Sequence, residues 1–248
     1  MILIFIFFLV LFNNFLLFSN SLSNHAFITC QESNNLFVVD LEKQQVIKSY
    51  ELGLSPAGIV IDKNHKKVLI ANPDSNNISV IDTVNGLNFK IEANKSPLGI
   101  TIDSKKSIIY VSNWYDNMLT VIDLEKKKIL STIKVGKSPA GLDFHPELNL
   151  IAVANRDSNS ITLINGSNYN EYQVIDTQKS PFGVFFEPEG NLLAVTNVQS
   201  SSVSFIDLEK KKIIKNVKVG EWPYQVSFNK KFEKIYVTNQ RDDSVSII

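Results

Sequence analysis

The sequence predicts an all-β protein, a β-propeller of four-stranded antiparallel blades, on three observations. A strand-like phrase ending in asparagine recurs as KVLIAN, IIYVSN, LIAVAN, LLAVTN and IYVTN. It closes at Asn72, Asn113, Asn155, Asn197 and Asn239, at intervals of 41, 42, 42 and 42 residues. Pro56, Pro97, Pro139, Pro181 and Pro223 keep the same intervals, and each period holds four short apolar runs with turn residues between them. A fixed period of this length marks a repeat architecture.

Each strand follows from its own composition. In one period the runs are GLDFH, LIAVAN, SITLIN and YQVID, here called A to D. They are short, rich in Val, Ile, Phe and Tyr, and separated by Gly, Pro, Asn, Asp and Ser, which are strand and turn signals. Strands A and B are almost continuously apolar, so both faces of the sheet must be covered. Strand D interleaves lysines, as in KKILSTIKVG and KKIIKNVKVG. That is the pattern of an exposed edge strand protected against pairing with other chains. Sheets covered on both faces by their own copies stack radially around an axis, with A innermost after the SPxG turn and D outermost.

The chain opens with B, C and D (HAFITC, LFVVDL, QVIKSYELG), continues through four complete units and closes with A, B and C. This predicts 22 strands, about five and a half blades. A seven-bladed ring would need nearly seventy further residues, so the expectation is a truncated chain or an open partial ring. An open blade edge would be a place for self-association.

The units YVTN, VSNW and VTNV, followed by SVSFID or LTVID and joined to VGKSPAG, resemble the YVTN-repeat β-propeller family from about Ala26 to Ile248. The resemblance implies a secreted or surface-exposed protein and, in many members, seven blades. It also places quinone-dependent dehydrogenase components, lactonases and d1-haem domains among related propellers. A scaffold of this kind hosts unrelated sites, so function must be sought in particular residues.

The first eighteen residues, MILIFIFFLVLFNNFLLF, carry no charge and precede the small polar stretch SNSLSN. This reads as a signal peptide over residues 1–23, cleaved near Ser23, with a propeller domain over 24–248. The expected location is secreted or periplasmic. The alternative is an uncleaved N-terminal anchor, with no membrane span after it. Lysines and arginines total 25 and acids total 25, so no net field recruits nucleic acid. The single cysteine, Cys30, excludes an internal disulfide, a CxxCH haem attachment and a multi-cysteine zinc site. FITCQESNN aligns with YVTNQRDDS, which puts Cys30 at the repeated asparagine position.

Residues repeated in every blade build the blade. The prolines set turns, the glycines two residues later (Gly58, Gly99, Gly141, Gly183) admit close strand packing, and the asparagines bond backbone or tolerate left-handed geometry. Asp40, Asp82, Asp123 and Asp207 are expected to accept backbone N–H groups at the C–D turns. The acids of the B–C loops, Asp74, Asp116, Asp157 and Asp242, also repeat and read as structural.

Function should instead break the repeat. The B–C and D–A loops emerge on one face, and there the sequence departs from its own pattern at Trp114, Tyr115, Arg156, Phe182, Trp222, Tyr224 and Arg241. Aromatics and arginines on a face of small residues are the composition of a binding surface. The structural alternative is that they fill gaps at blade edges. His25, His65 and His145 are scattered, with the last two read as A–B turn residues on the opposite face. No metal site, cofactor or catalytic constellation is predicted. The sequence-level reading is therefore a binding module for a protein or small ligand, with a lactonase-like or dehydrogenase-associated propeller as the alternative.

Overall fold

The apolar runs become twenty-two strands in a computed structural model that describes residues 24–188, 190–229 and 233–248. The predicted signal peptide, residues 1–23, lies outside the described residues. The strands form six antiparallel sheets, each a blade, that follow one another around a central axis. Blade one has β1 (His25–Cys30), β2 (Asn35–Asp40) and β3 (Gln45–Glu51). Blade two has β4 (Ile59–Asp62), β5 (Lys67–Asn72), β6 (Asn77–Asp82) and β7 (Asn88–Glu92). Blade three has β8 (Pro97–Asp103), β9 (Ile108–Asn113), β10 (Met118–Asp123) and β11 (Lys128–Lys134). Blade four has β12 (Pro139–His145), β13 (Leu150–Asn155), β14 (Ser160–Asn165) and β15 (Glu171–Asp176). Blade five has β16 (Pro181–Phe186), β17 (Leu192–Asn197), β18 (Ser202–Asp207) and β19 (Lys212–Lys218), and blade six has β20 (Pro223–Asn229), β21 (Lys234–Asn239) and β22 (Ser244–Ile247). The expected strand inventory and the order A-B-C-D within each blade are both present.

The core lies between blades rather than within one. Five apolar clusters occupy the five successive interfaces; Leu69, Ile78 and Val80 of blade two meet Ile100, Ile109 and Val111 of blade three, for example. Strands β9 and β13 are buried along their whole length, which explains why their sequences lack alternation. The D strands β3, β11 and β19 are mostly exposed. The C–D pairing slips by one residue at Val38/Val39, Val121/Ile122, Leu163/Ile164 and Phe205/Ile206. A bulge at one repeated position twists the outer edge away from further pairing.

The repeated glycines have a specific role. A Cβ built on Gly58, Gly99, Gly141 or Gly183 would lie 2.3, 2.3, 2.4 or 2.3 Å from a carbonyl oxygen of the next blade. Inner strands therefore approach backbone to backbone. The Gly99 and Gly183 N–H groups donate to Ser112 Oγ (2.8 Å) and Thr196 Oγ1 (2.7 Å). Those hydroxyls donate in turn to the carbonyls of Ala140 and Tyr224 in the following blade. In blade two, with Ala71 at the hydroxyl position, the bond is direct, from the Gly58 N–H to the Leu98 carbonyl at 3.0 Å.

The repeated asparagines take the first of their two expected roles, bonding backbone. Asn72, Asn155 and Asn197 have extended backbones, with φ of −117°, −102° and −113°, rather than left-handed ones. Their amides instead tie strand B to strand C. Asn155 Nδ2 donates to Ser160 Oγ (3.2 Å) and Thr162 Oγ1 (2.8 Å), while its Oδ1 accepts the Gly136 N–H at 3.0 Å. Asn72, Asn197 and Asn239 repeat the donor pattern. Cys30 pairs with Asn35 as Asn72 pairs with Asn77, which confirms its place in the repeat. The C–D turn aspartates accept backbone N–H groups as expected, Asp40 from Glu42 and Lys43 at 3.0 Å each.

Candidate functional site

A left-handed residue stands at the end of each B–C loop. Asn76, Asn117, Asn159, Ser201 and Asp243 have φ between 48° and 54°. In the three asparagines Oδ1 accepts the backbone N–H of Ser96, Ser138 or Ser180 in the next D–A loop, at 2.9 Å each. The D–A loop of one blade is thus latched to the B–C loop of the blade before it, and the two loop types form one continuous face. The loop acids serve the same purpose. Asp74 and Asp157 accept the hydroxyls of Ser55 and Ser138. Asp116 and Asp242 accept the N–H groups of Lys95 (3.1 Å) and Glu221 (2.6 Å).

On this face six of the seven candidate residues meet in three pairs. Arg156 lies over the Trp114 ring at 5.7 Å across the blade three–four boundary and holds Asp157 Oδ1 at 2.8 Å. Arg241 lies over Trp222 at 5.3 Å, its Nε 3.5 Å from Glu221. Phe182 and Tyr224 meet edge to face at 4.7 Å between the inner strands of blades five and six. The last two pairs adjoin, since Trp222 and Tyr224 flank Pro223. Tyr115 stands apart, 74% exposed. A guanidinium over an aromatic face is attracted by the ring quadrupole and, with five N–H donors, has more than its one carboxylate contact uses.

Trp222 also carries an unusual backbone. Its φ is 54°, where Ser55, Ser96, Ser138 and Ser180 have 56°, 51°, 51° and 57°. A bulky side chain in left-handed geometry is uncommon and costly. The repeat imposes that geometry, and a tryptophan occupies it while 42% exposed.

Sequence reasoning missed Asp143. Four residues after the repeated proline stand Val60, Thr101, Phe185 and Ser227 in blades two, three, five and six, so an acid there breaks the pattern. Asp143 Oδ1 accepts its neighbour Phe144 N–H at 2.8 Å, and Oδ2 accepts the Phe186 N–H of blade five at 2.9 Å. The residue keeps some surface, but its carboxyl is enclosed by protein. Burial pushes its pKa up to about 6 against the two N–H bonds, which act to lower it.

His145 also departs from the expectation of a turn residue. It ends strand β12, is 2% exposed and packs edge to face on Phe186 at 5.5 Å. Its Nδ1 accepts the Leu148 N–H at 3.2 Å, the job done by Asp103 for Lys106 one blade earlier, so its proton resides on Nε2. Among the described residues no three His, Cys, Asp or Glu side chains converge as a metal site. No helix of the described residues is long and apolar enough to cross a membrane.

A ring of antiparallel four-stranded blades with an irregular loop face defines the chain as a β-propeller. Comparisons with known proteins agree on that class. The family model described as "Lactonase, 7-bladed beta-propeller" matches residues 80–171, a stretch that contains Trp114, Tyr115, Asp143 and Arg156. No curated protein matches the chain. Among solved structures, it is similar to a functionally unknown protein from Desulfotomaculum acetoxidans DSM 771. The two share 15% identity and a TM-score of 0.78, covering 91% of this chain and 78% of that one. It is also similar to Kuenenia stuttgartiensis hydrazine synthase, at 14% identity and a TM-score of 0.64, covering 91% and 92%. Likeness at these identities describes the fold alone.

Proposed function

We propose that the chain is a binding module outside the cytoplasm that holds a protein or small ligand on its loop face. The observation that carries this reading is the pair of arginine–tryptophan stacks at the places where the repeat is broken. The residues common to all blades are occupied with latching loops and joining strands. The uncommon ones are oriented but have unspent donors and ring edges, which is what a recognition surface requires. The apolar N-terminal stretch of the sequence supports a location outside the cytoplasm.

A photo-crosslinking amino acid at Tyr115 tests the reading, with the same group at Lys63 on the opposite face as reference. In extract of the producing cells, adducts are expected from position 115 and not from position 63. Equal labelling at both positions, or none at 115, would overturn the reading.

A second reading, hydrolysis of cyclic esters, is favoured by the lactonase match together with Asp143, a carboxyl able to exchange a proton near pH 6. Glucono-lactone hydrolysis that is lost in Asp143→Asn would establish it in place of the binding reading.

A further inference from the structure

The D–A loop residue two before each proline is Leu54, Lys95, Lys137, Lys179 and Glu221 in blades two to six. The three lysines therefore stand at one repeat position on three consecutive blades, and all three are exposed. Their backbones are pinned by N–H bonds to Asp116 Oδ2 (3.1 Å), Ser158 Oγ (2.8 Å) and Ser200 Oγ (3.0 Å). Among the described residues, none of their ammonium groups has a carboxylate partner. Four lysines of the opposite face, Lys43, Lys106, Lys126 and Lys210, each pair with the aspartate three residues before. On the loop face the nearby acids Asp116 and Asp157 turn to loop donors instead, Asp116 to the Lys95 N–H and Asp157 to the Ser138 hydroxyl and Arg156.

The arc is continuous with the stacked pair in blades three and four. Trp114 N–H bonds the Ser96 carbonyl beside Lys95 (3.0 Å), and Arg156 N–H bonds the Ser138 carbonyl beside Lys137 (3.1 Å). It ends in blade six, where the repeat position changes sign at Glu221 and Arg241 neutralises it at 3.5 Å. Sheets packed face to face stand about 10 Å apart, which sets the scale of the step from one blade to the next. A polyproline II peptide has three residues per turn and a rise of about 3.1 Å, so one side chain in three returns to the same side every ~9 Å. Aromatic-lined surfaces are a recurring platform for that conformation.

We infer that the loop face docks a proline-rich acidic segment in polyproline II form, carrying a carboxylate at every third residue. Lys95, Lys137 and Lys179 each take one carboxylate, and the aromatic rings beside them receive the prolines. The inference rests on the loop-face reading above and names the partner of that same site.

Fluorescence anisotropy of the full chain with labelled (Glu-Pro-Pro)4 tests it, against a peptide of equal composition with its glutamates in one block. The periodic peptide is expected to bind about tenfold tighter than the block, and Lys137→Glu to weaken it about tenfold, a reversed rather than a removed charge contact. Lys63→Glu is expected to change nothing, and added salt to weaken binding. Equal affinity for the two peptides, indifference to Lys137→Glu, or no binding of either would overturn the inference. If crosslinking at Tyr115 succeeds while the peptide fails, only the partner's identity falls; if both fail, the loop-face reading falls with it.

Discussion

Gly141→Ala is expected to destabilise the protein by about 3 kcal/mol, at the upper end of what overpacking costs. Backbone conformation is not the obstacle, since Gly141 is not among the positive-φ residues. The obstacle is space. A Cβ there would lie 2.4 Å from the Phe182 carbonyl oxygen and 3.4 Å from the Gly183 Cα, both main-chain atoms of the next blade. Neither is the free end of a side chain, so blades four and five must separate. The cluster between them includes Ala154, Ile161, Val184 and Val195, and its packing loosens with them. Gln225 occupies the same repeat position in blade six, where its side chain is exposed. Gln225→Ala is accordingly expected to be close to neutral. Denaturant unfolding of both variants checks the pair, and a Gly141→Ala variant as stable as the parent would refute the backbone contact.

Asp143→Asn is expected to stabilise the protein above pH 6 by about 2 kcal/mol. The carboxyl has a pKa of about 6 in the fold against 3.8 as its ordinary value. A raised carboxyl pKa means that folding favours the protonated form. The contribution to stability is therefore greatest below the ordinary value, declines as pH rises from about 4 to about 6, and stays low above. A shift of this size corresponds to roughly 3 kcal/mol, of which the amide recovers only part. Asparagine offers one acceptor where the carboxylate serves both Phe144 and Phe186. Unfolding curves at pH 4 and pH 8 check the sign. The two proteins should converge at the lower pH, and a variant less stable than the parent at pH 8 would contradict the burial argument.

The fold was legible because the same phrase is written several times, and noise at one position is averaged by the others. Period, strand order, innermost strand and exposed outer strand all followed from it. For the asparagines the sequence leaves two roles open, and the structure selects backbone bonding over left-handed geometry. Left-handed backbone is common for asparagine, but here the extended residue at the strand end carries the buried amide, and the left-handed residue comes four positions later. That distinction depends on which strand C hydroxyls lie beneath, and sequence spacing alone does not show it. The pairing of Trp114 with Arg156 joins residues 42 apart in sequence across a blade boundary, and only the packed ring reveals it. Asp143 was readable. It stands at a position where the other four A strands have an uncharged residue, and it lies on a strand rather than on the loop face. His145 reads as a turn residue in the sequence, whereas the strand runs through the histidine and buries its ring.

The proposed function gives the repeated residues the task of building blades and the unrepeated ones that of recognising a partner. Trp222→Ser tests that division most directly, because it restores at the sixth blade the residue that the other four turns carry. Thermal unfolding and crosslinking from position 115 are measured on the same preparation. Thermal stability is expected to be unchanged or slightly raised, since a bulky left-handed residue is replaced by the repeat's own choice, and the crosslinked adduct is expected to be clearly reduced. A melting temperature lowered by several degrees with adduct formation intact would show that the tryptophan is a packing residue, and would contradict the assignment of the loop face.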